Sequence, residues 1–290
     1  MSNAFERAHS PDARIDDAHI ARRLEEAYTR KNASLQEAAI KPDQFIDLYG
    51  QENVQKDKAT VERLRGLFEK DLSGKELEED KTTKRAARVF EGIIYEQSEL
   101  SDWFGANART IKTSDFDDFV NGVDLVVEID EPGRSPGHVA LAVDVSFGTV
   151  GIEKKISRAV AEIDADSSGT VKYFFSELTG VKGQLLRVPR VVVGVEKKVV
   201  AELAGLDTNK RVKELAVHPV QRVIADEVCK QLEVFGKYAR SKDKKNAAET
   251  YERAYSLMQR TLADKRRMPL DDLAKDRVYE RILWQIERVK

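Results

Sequence analysis

The feature that most limits the fold is a change of apolar period partway along the chain. Up to about residue 100, and again after about 196, apolar residues recur every three or four positions, as on one face of a helix. Between these regions lie three valine-rich stretches: GVDLVVEID at 122–130, HVALAVDVSF at 138–147 and PRVVVGV at 189–195. β-Branched residues in alternating or continuous apolar runs favour strands. The turn-forming EPGRSPG at 131–137 separates the first two. Another short strand is predicted at 109–113, a helix at 151–164, and a strand or short helix at 170–175. N-terminal helices are predicted over 16–40, 42–50, 58–70 and 83–100, with a polar linker or short helix at 71–83. C-terminal helices are predicted over 196–204, 215–238, 243–264 and 271–288.

This order predicts an α/β fold in which a small sheet is flanked by helices and extended by helices at both ends. The expected division is 1–82 as a helical N-terminal extension, 83–205 as the core and 206–290 as a helical C-terminal region. The last helices fit a bundle on the core and a dimerisation arm equally well.

Composition narrows the class. The chain has 290 residues, 41% of them apolar and 34% charged, which suits a globular protein and excludes collagen-like or wholly disordered chains. A net charge of -2 argues against a protein that coats nucleic acid, yet the charge is uneven. Residues 101–150 hold 3 Lys/Arg against 9 Asp/Glu, and residues 231–290 hold 15 against 10. An acidic centre with basic ends is compatible with bringing metal ions to phosphates. The single cysteine, Cys229, excludes an internal disulfide framework and a multi-cysteine metal knuckle. The N-terminus has no apolar signal core, and no apolar run is long enough for a membrane span, so a cytoplasmic protein is expected. Four scattered histidines have no zinc spacing, and neither a phosphate-binding glycine loop nor a G-x-S-x-G elbow is present.

Alternation within the strands singles out carboxylates. In 138–147, Leu141, Val143, Val145 and Phe147 share one face, while Ala142, Asp144 and Ser146 share the other. A carboxylate inside so apolar a strand needs a partner or a metal. In 122–130, Val123, Leu125, Val127 and Ile129 oppose Asp124, Val126 and Glu128. If the two strands are neighbours, Asp124 and Asp144 converge at one sheet edge, offering the hard oxygen ligands that Mg2+ or Mn2+ prefers. Glu91, between Phe90 and Ile94 on the preceding helix, is a third candidate ligand. Asp117 and Asp118 read as loop residues and Glu128 as an exposed strand residue. Glu96 and Glu99 read as solvent-facing.

A helix with Glu91, strands with Asp124 and Asp144, a helix and a last strand together resemble the PD-(D/E)XK nuclease superfamily. The resemblance covers roughly 83–200. It implies a restriction-endonuclease-like core with α-β-β-β-α-β order and Mg2+-dependent hydrolysis of phosphodiester bonds in nucleic acid, DNA more often than RNA. Homodimers are common among such enzymes. Asp124 and Asp144 match the family's acidic positions, and with Glu91 they are the expected metal ligands. Where the family usually has lysine two residues after the second acid, this chain has Ser146. Some relatives take the lysine from the next helix, and Lys155, between Ile152 and Ile156, is the expected substitute, with Lys154 and Lys172 as alternatives. Lys182, Arg187 and Arg190 could touch phosphates or lie on the surface. Trp103 and Phe104 read as core, and His218 as a capping or packing residue. The competing expectation is a catalytically inactive nuclease-type fold used for binding or assembly.

Overall fold

The computed structural model describes residues 11–70, 75–131, 133–144, 149–208, 210–270, 273 and 275–289. Within its helices and strands, the side chains of 11–17, 68–70, 75–80, 140–144 and 149–150 are not among those described. The chain is a mixed α/β protein, mostly helical, with a small sheet. Helix α1 spans Pro11–Ala38. A 3-10 turn at Pro42–Phe45 leads into the short α2, Ile46–Tyr49, then α3, Gln51–Lys70, and α4, Lys75–Leu100. Strands β1 (Ala108–Lys112), β2 (Leu125–Ile129) and β3 (Gly137–Asp144) follow, then helix α5, Thr149–Asp164. The hairpin β4 (Gly169–Phe175) and β5 (Lys182–Val188) precedes β6, Arg190–Gly194. Five helices follow among the described residues: α6 (Lys197–Thr208), α7 (Val212–Ala216), α8 (Val220–Ser241), α9 (Lys245–Lys265) and α10 (Arg277–Ile286). Among the described residues no helix is long and apolar enough to cross a membrane.

The main sheet has the order β1-β2-β3-β6. β1, β2 and β3 form an antiparallel meander, with Leu125 opposite both Lys112 and Leu141. β6 lies parallel to β3, with Val191 beside Leu141 and Gly194 beside Asp144. A parallel neighbour cannot be reached by a tight turn, and here α5 and the hairpin make the crossover.

Two helical ends begin earlier than their apolar periodicity suggests. α4 starts at Lys75, not near 83, and α3 at Gln51, not at 58. The added turns, QENVQKD and KELEEDKT, consist largely of residues that tolerate or favour helix without an apolar stripe. Strand β5 has no counterpart among the sequence-based expectations. Its sequence, KGQLLRV, shows little clear alternation, and most of it is exposed.

Glu128 overturns the reading of β2 as a one-sided strand. It is buried, accepts a bond from Ser176 Oγ at 2.9 Å and lies 3.1 Å from His138 Nε2. Every residue of β2 is buried. Leu125, Val127 and Ile129 join the main core, while Val126 joins a second cluster with Val123, Val171, Phe174 and Val188. The β4–β5 hairpin therefore covers the face that alternation assigned to solvent. Arg190 is likewise buried and unavailable as a surface cation. Its guanidinium binds both oxygens of Glu162 at 2.9 and 3.2 Å and donates to Gly122 O at 2.6 Å. Lys182 pairs with Asp47 at the surface, and Arg187 is exposed.

The C-terminal helices pack on the sheet. β6 is its outer strand, and an open edge leaves main-chain groups in need of partners. Three side chains fill that need at alternate residues. Tyr251 Oη of α9 accepts from Arg190 N at 3.2 Å. Gln231 of α8 accepts from Val192 N at 2.8 Å and donates to Val192 O at 2.6 Å. Glu227 accepts from Gly194 N at 3.1 Å, and burial pushes its carboxyl well above the ordinary range. α8 and α9 thus complete the edge as a further strand would. Trp103 and Phe104 are core residues, and His218 Nδ1 accepts from Val220 N at 3.2 Å at the start of α8. Replacing Gln231 with leucine strands two buried main-chain groups, at roughly 1–3 kcal/mol each. Urea unfolding of Gln231→Leu is expected to show a loss of about 2–6 kcal/mol.

Candidate metal centre

The site begins with a turn. After β1, Ser114 Oγ accepts from Asp117 N at 3.1 Å and donates to Asp117 Oδ2 at 2.8 Å. The chain then makes one π-helical turn, Asp117–Asn121, a wider coil than the α-helix and one often found at functional sites. Gly122 ends it with φ 62°, in the left-handed region that suits glycine. A Cβ there would also crowd the Arg158 guanidinium, 3.1 Å away. Asp117, expected to decorate a loop, is buried. Its carboxylate accepts from the main-chain nitrogens of Lys172 and Tyr173 at 2.6 and 3.0 Å, fastening the turn to β4.

The turn brings Asp118 and Asp124 together, and α4 supplies Glu91 from its buried face. One carboxylate oxygen from each of Glu91, Asp118 and Asp124 lies within 4.8 Å of the other two. Lys112, the last residue of β1, is buried among them. Its ammonium is 2.8 Å from Glu91 Oε1 and donates to Asp118 Oδ2 at 3.1 Å and to Asp124 O at 3.0 Å. Arg88, one turn before Glu91, contacts both its oxygens at 3.0 and 3.2 Å.

Charge in this space is strongly coupled. Burial and the charges of Asp118 and Glu91 push Asp124 up to about 8, against the opposing pull of Lys155 and Lys112. Burial acts on Asp118 in the same direction, but Lys112, a hydrogen bond with Asp124 and Arg88 reverse it, leaving Asp118 below the ordinary range. Burial would lower Lys112, and Asp118, Glu91 and Asp124 raise it above its ordinary value. Asp124 is therefore held towards its protonated form and Asp118 towards its ionised form, beside the cations of Lys112 and Arg88.

Of the four residues expected from sequence, Glu91 and Asp124 meet. Lys155, half-buried in the first half of α5, acts electrostatically on Asp124. Asp144 closes β3 opposite Gly194, and its side chain lies outside the described residues; so does all of Ser146. Asp118 and Lys112 were missed. Asp118 looked like one of several loop acids, and Lys112 sits at a strand end where alternation gives no warning of a buried cation. The Asn121-Gly122 turn was the available signal, since a chain reversal there brings 118 back towards 124. The alternative cations serve elsewhere. Lys154 is exposed. Lys172 pairs with Asp57 and lies 5.1 to 5.5 Å from the ring centres of Phe116, Tyr49 and Tyr173. Glu96 pairs with buried Lys31, and Glu99 accepts from Thr110 N at 2.8 Å.

A carboxyl raised in the folded state binds its proton more tightly there than in the unfolded chain. Its contribution to stability therefore falls as pH rises from the unfolded value near ~3.9 through about 8. With metal chelated, Asp124→Asn is expected to be more thermostable than the parent at pH 8.5. The gap should close as pH falls towards ~4, at roughly 2–4 °C per kcal/mol in a chain of this size. Thermal melts across that range test this, and an equal gap at both ends would contradict the assigned protonation.

No protein-family model matches the chain, and neither a curated protein nor a solved structure matches it.

Proposed function

We propose that the chain is a metal-dependent phosphodiesterase of the nuclease type, acting on nucleic acid, with DNA as the favoured substrate. The observation that carries this reading is the convergence of Glu91, Asp118 and Asp124 at one end of the sheet, within 4.8 Å of one another and under the charge of Lys155. The element order supports it as well. A helix, three antiparallel strands, a crossover helix and a parallel fourth strand follow the α-β-β-β-α-β plan of the PD-(D/E)XK resemblance, with the β4–β5 hairpin inserted before the last strand. On this reading the core is restriction-endonuclease-like.

The donor set fits Mg2+ or Mn2+, because all three side chains offer hard carboxylate oxygens and lie too close together to be ionised without cations. Asp124 and Asp118 would hold the ion with Glu91. Asp144, whose backbone ends β3 on the sheet strand next to β2, would be a further ligand. A divalent cation bound there would polarise a scissile phosphate and lower the pKa of a bound water. Arg88 and Lys112 fix the Glu91 carboxylate from two sides and set its orientation. Lys155, whose charge acts on Asp124, would offset the negative charge gathering on the reacting phosphate, the role the lysine usual in the family would otherwise fill.

A second reading, a nuclease-type fold used for binding or assembly, is favoured by the ion pairs of Lys112 with Glu91 and Asp118. These neutralise part of the cluster without a metal. The two readings separate in one experiment: Mn2+ titration by calorimetry, alongside cleavage of plasmid, single-stranded and branched DNA and of RNA. The nuclease reading expects saturable Mn2+ binding and Mg2+- or Mn2+-dependent cleavage. Asp124→Asn should weaken metal binding by at least about tenfold and abolish cleavage, and Glu91→Gln should weaken both. Absence of metal binding and of cleavage on every substrate would leave the assembly reading.

A further inference from the structure

The last helix carries a feature that the metal centre does not use. Residues 277, 281, 284 and 288 recur with helical spacing along one side of α10 and the turn after it. Three are arginines and one is Trp284. The opposite side of the helix buries Val278, Ile282 and Ile286 in the core, so this stripe faces outward. Trp284 is 42% exposed, one of the few large apolar side chains that are. Its ring carries two guanidinium groups, Arg281 at 4.2 Å and Arg288 at 4.3 Å from the centroid. Among the described residues neither Arg281 nor Arg288 forms an ion pair with a carboxylate; Arg288 is exposed, whereas Arg281 is half-buried, with its Nε buried and unpartnered.

An exposed tryptophan held between unpaired arginines has a specific physical use. Stacking on an indole fixes the plane of a guanidinium while leaving N–H edges free to donate. Such a group loses little freedom on binding and matches phosphate oxygens in a two-bond geometry. The position also matters. Arg288 and Val289 line a groove with Glu153, Ser157 and Asp164 of α5 and Tyr238 of α8. The stripe therefore borders a groove that runs along α5.

We infer that Arg281, Trp284 and Arg288 form a phosphate-backbone contact for nucleic acid beside the groove along α5. The choice of nucleic acid over another polyanion rests on the proposed nuclease function. Backbone contacts of this kind give affinity and orientation without reading sequence.

The test is binding in EDTA, which separates it from cleavage. Fluorescence anisotropy with labelled single-stranded DNA, duplex DNA and RNA of one sequence is measured for the full chain across salt concentrations. Arg288→Glu, at an exposed position, is expected to weaken binding at least tenfold. Its log–log salt slope should be shallower by roughly 0.7 to 0.9 or more. Trp284→Ala, which frees both guanidiniums from the ring, should weaken binding several-fold with a smaller change in slope. If the parent binds and Arg288→Glu and Trp284→Ala match it in affinity and slope, the inference falls and the nuclease reading stands. If the parent binds none of the three probes, the inference also falls. Loss of binding in these variants while the parent cleaves nothing would uphold the contact and remove the nuclease reading.

Discussion

The parallel pairing of β3 with β6 is the constraint on which the rest of the structure depends. Two parallel neighbours need a long crossover, and α5 supplies its helical part. That helix brings Lys155 to the end of the sheet where Asp124 enters β2. The hairpin in the same crossover folds over β2 and turns a strand with one polar side into one buried on both faces. The outer position of β6 in turn requires partners for its free edge, and Tyr251, Gln231 and Glu227 provide them. The C-terminal helices are thus bound to the sheet by main-chain hydrogen bonding as well as by apolar contact. Their role on the core follows from that requirement.

The carboxylate cluster is a balance between two ways of neutralising crowded negative charge. Lys112 and Arg88 supply fixed cations from β1 and α4, and a proton on Asp124 covers the remainder. A divalent ion would take over the proton's part and compete with the lysine for oxygens. Both arrangements use the same residues, and they differ in consequence. A structural network gains little from a third carboxyl that must stay protonated, whereas a metal site needs it. The crowding is costly to the folded state, because a buried carboxyl must be kept protonated or be given a cation.

The elements legible in the sequence were those with a repeating or continuous apolar run. The strands predicted at 122–130, 138–147 and 189–195 and the long helices on either side of them carry such runs, so their order and approximate limits follow from residue pattern alone. Glu91 and Asp124 were legible for the same reason, since each is a carboxylate flanked by apolar neighbours. Helix starts in polar sequence were not, because α3 and α4 open with turns whose sequence holds few apolar residues. The strand β5 and the buried face carrying Glu128 also escaped, because both owe their state to the hairpin lying on the sheet.

By itself, then, the sequence determined a small valine-rich sheet within a helical chain, and a carboxylate on α4 and another at the start of β2 that would be costly to bury alone. Only the tertiary structure decided that Asp118 and Lys112 share that space. Their proximity comes from a π-helical turn closed by Gly122 and from strand β1 ending beside α4. Nothing in the local pattern encodes those contacts, because the cluster is assembled from segments separated along the chain, and its charge balance depends on distances that exist only once the sheet has formed.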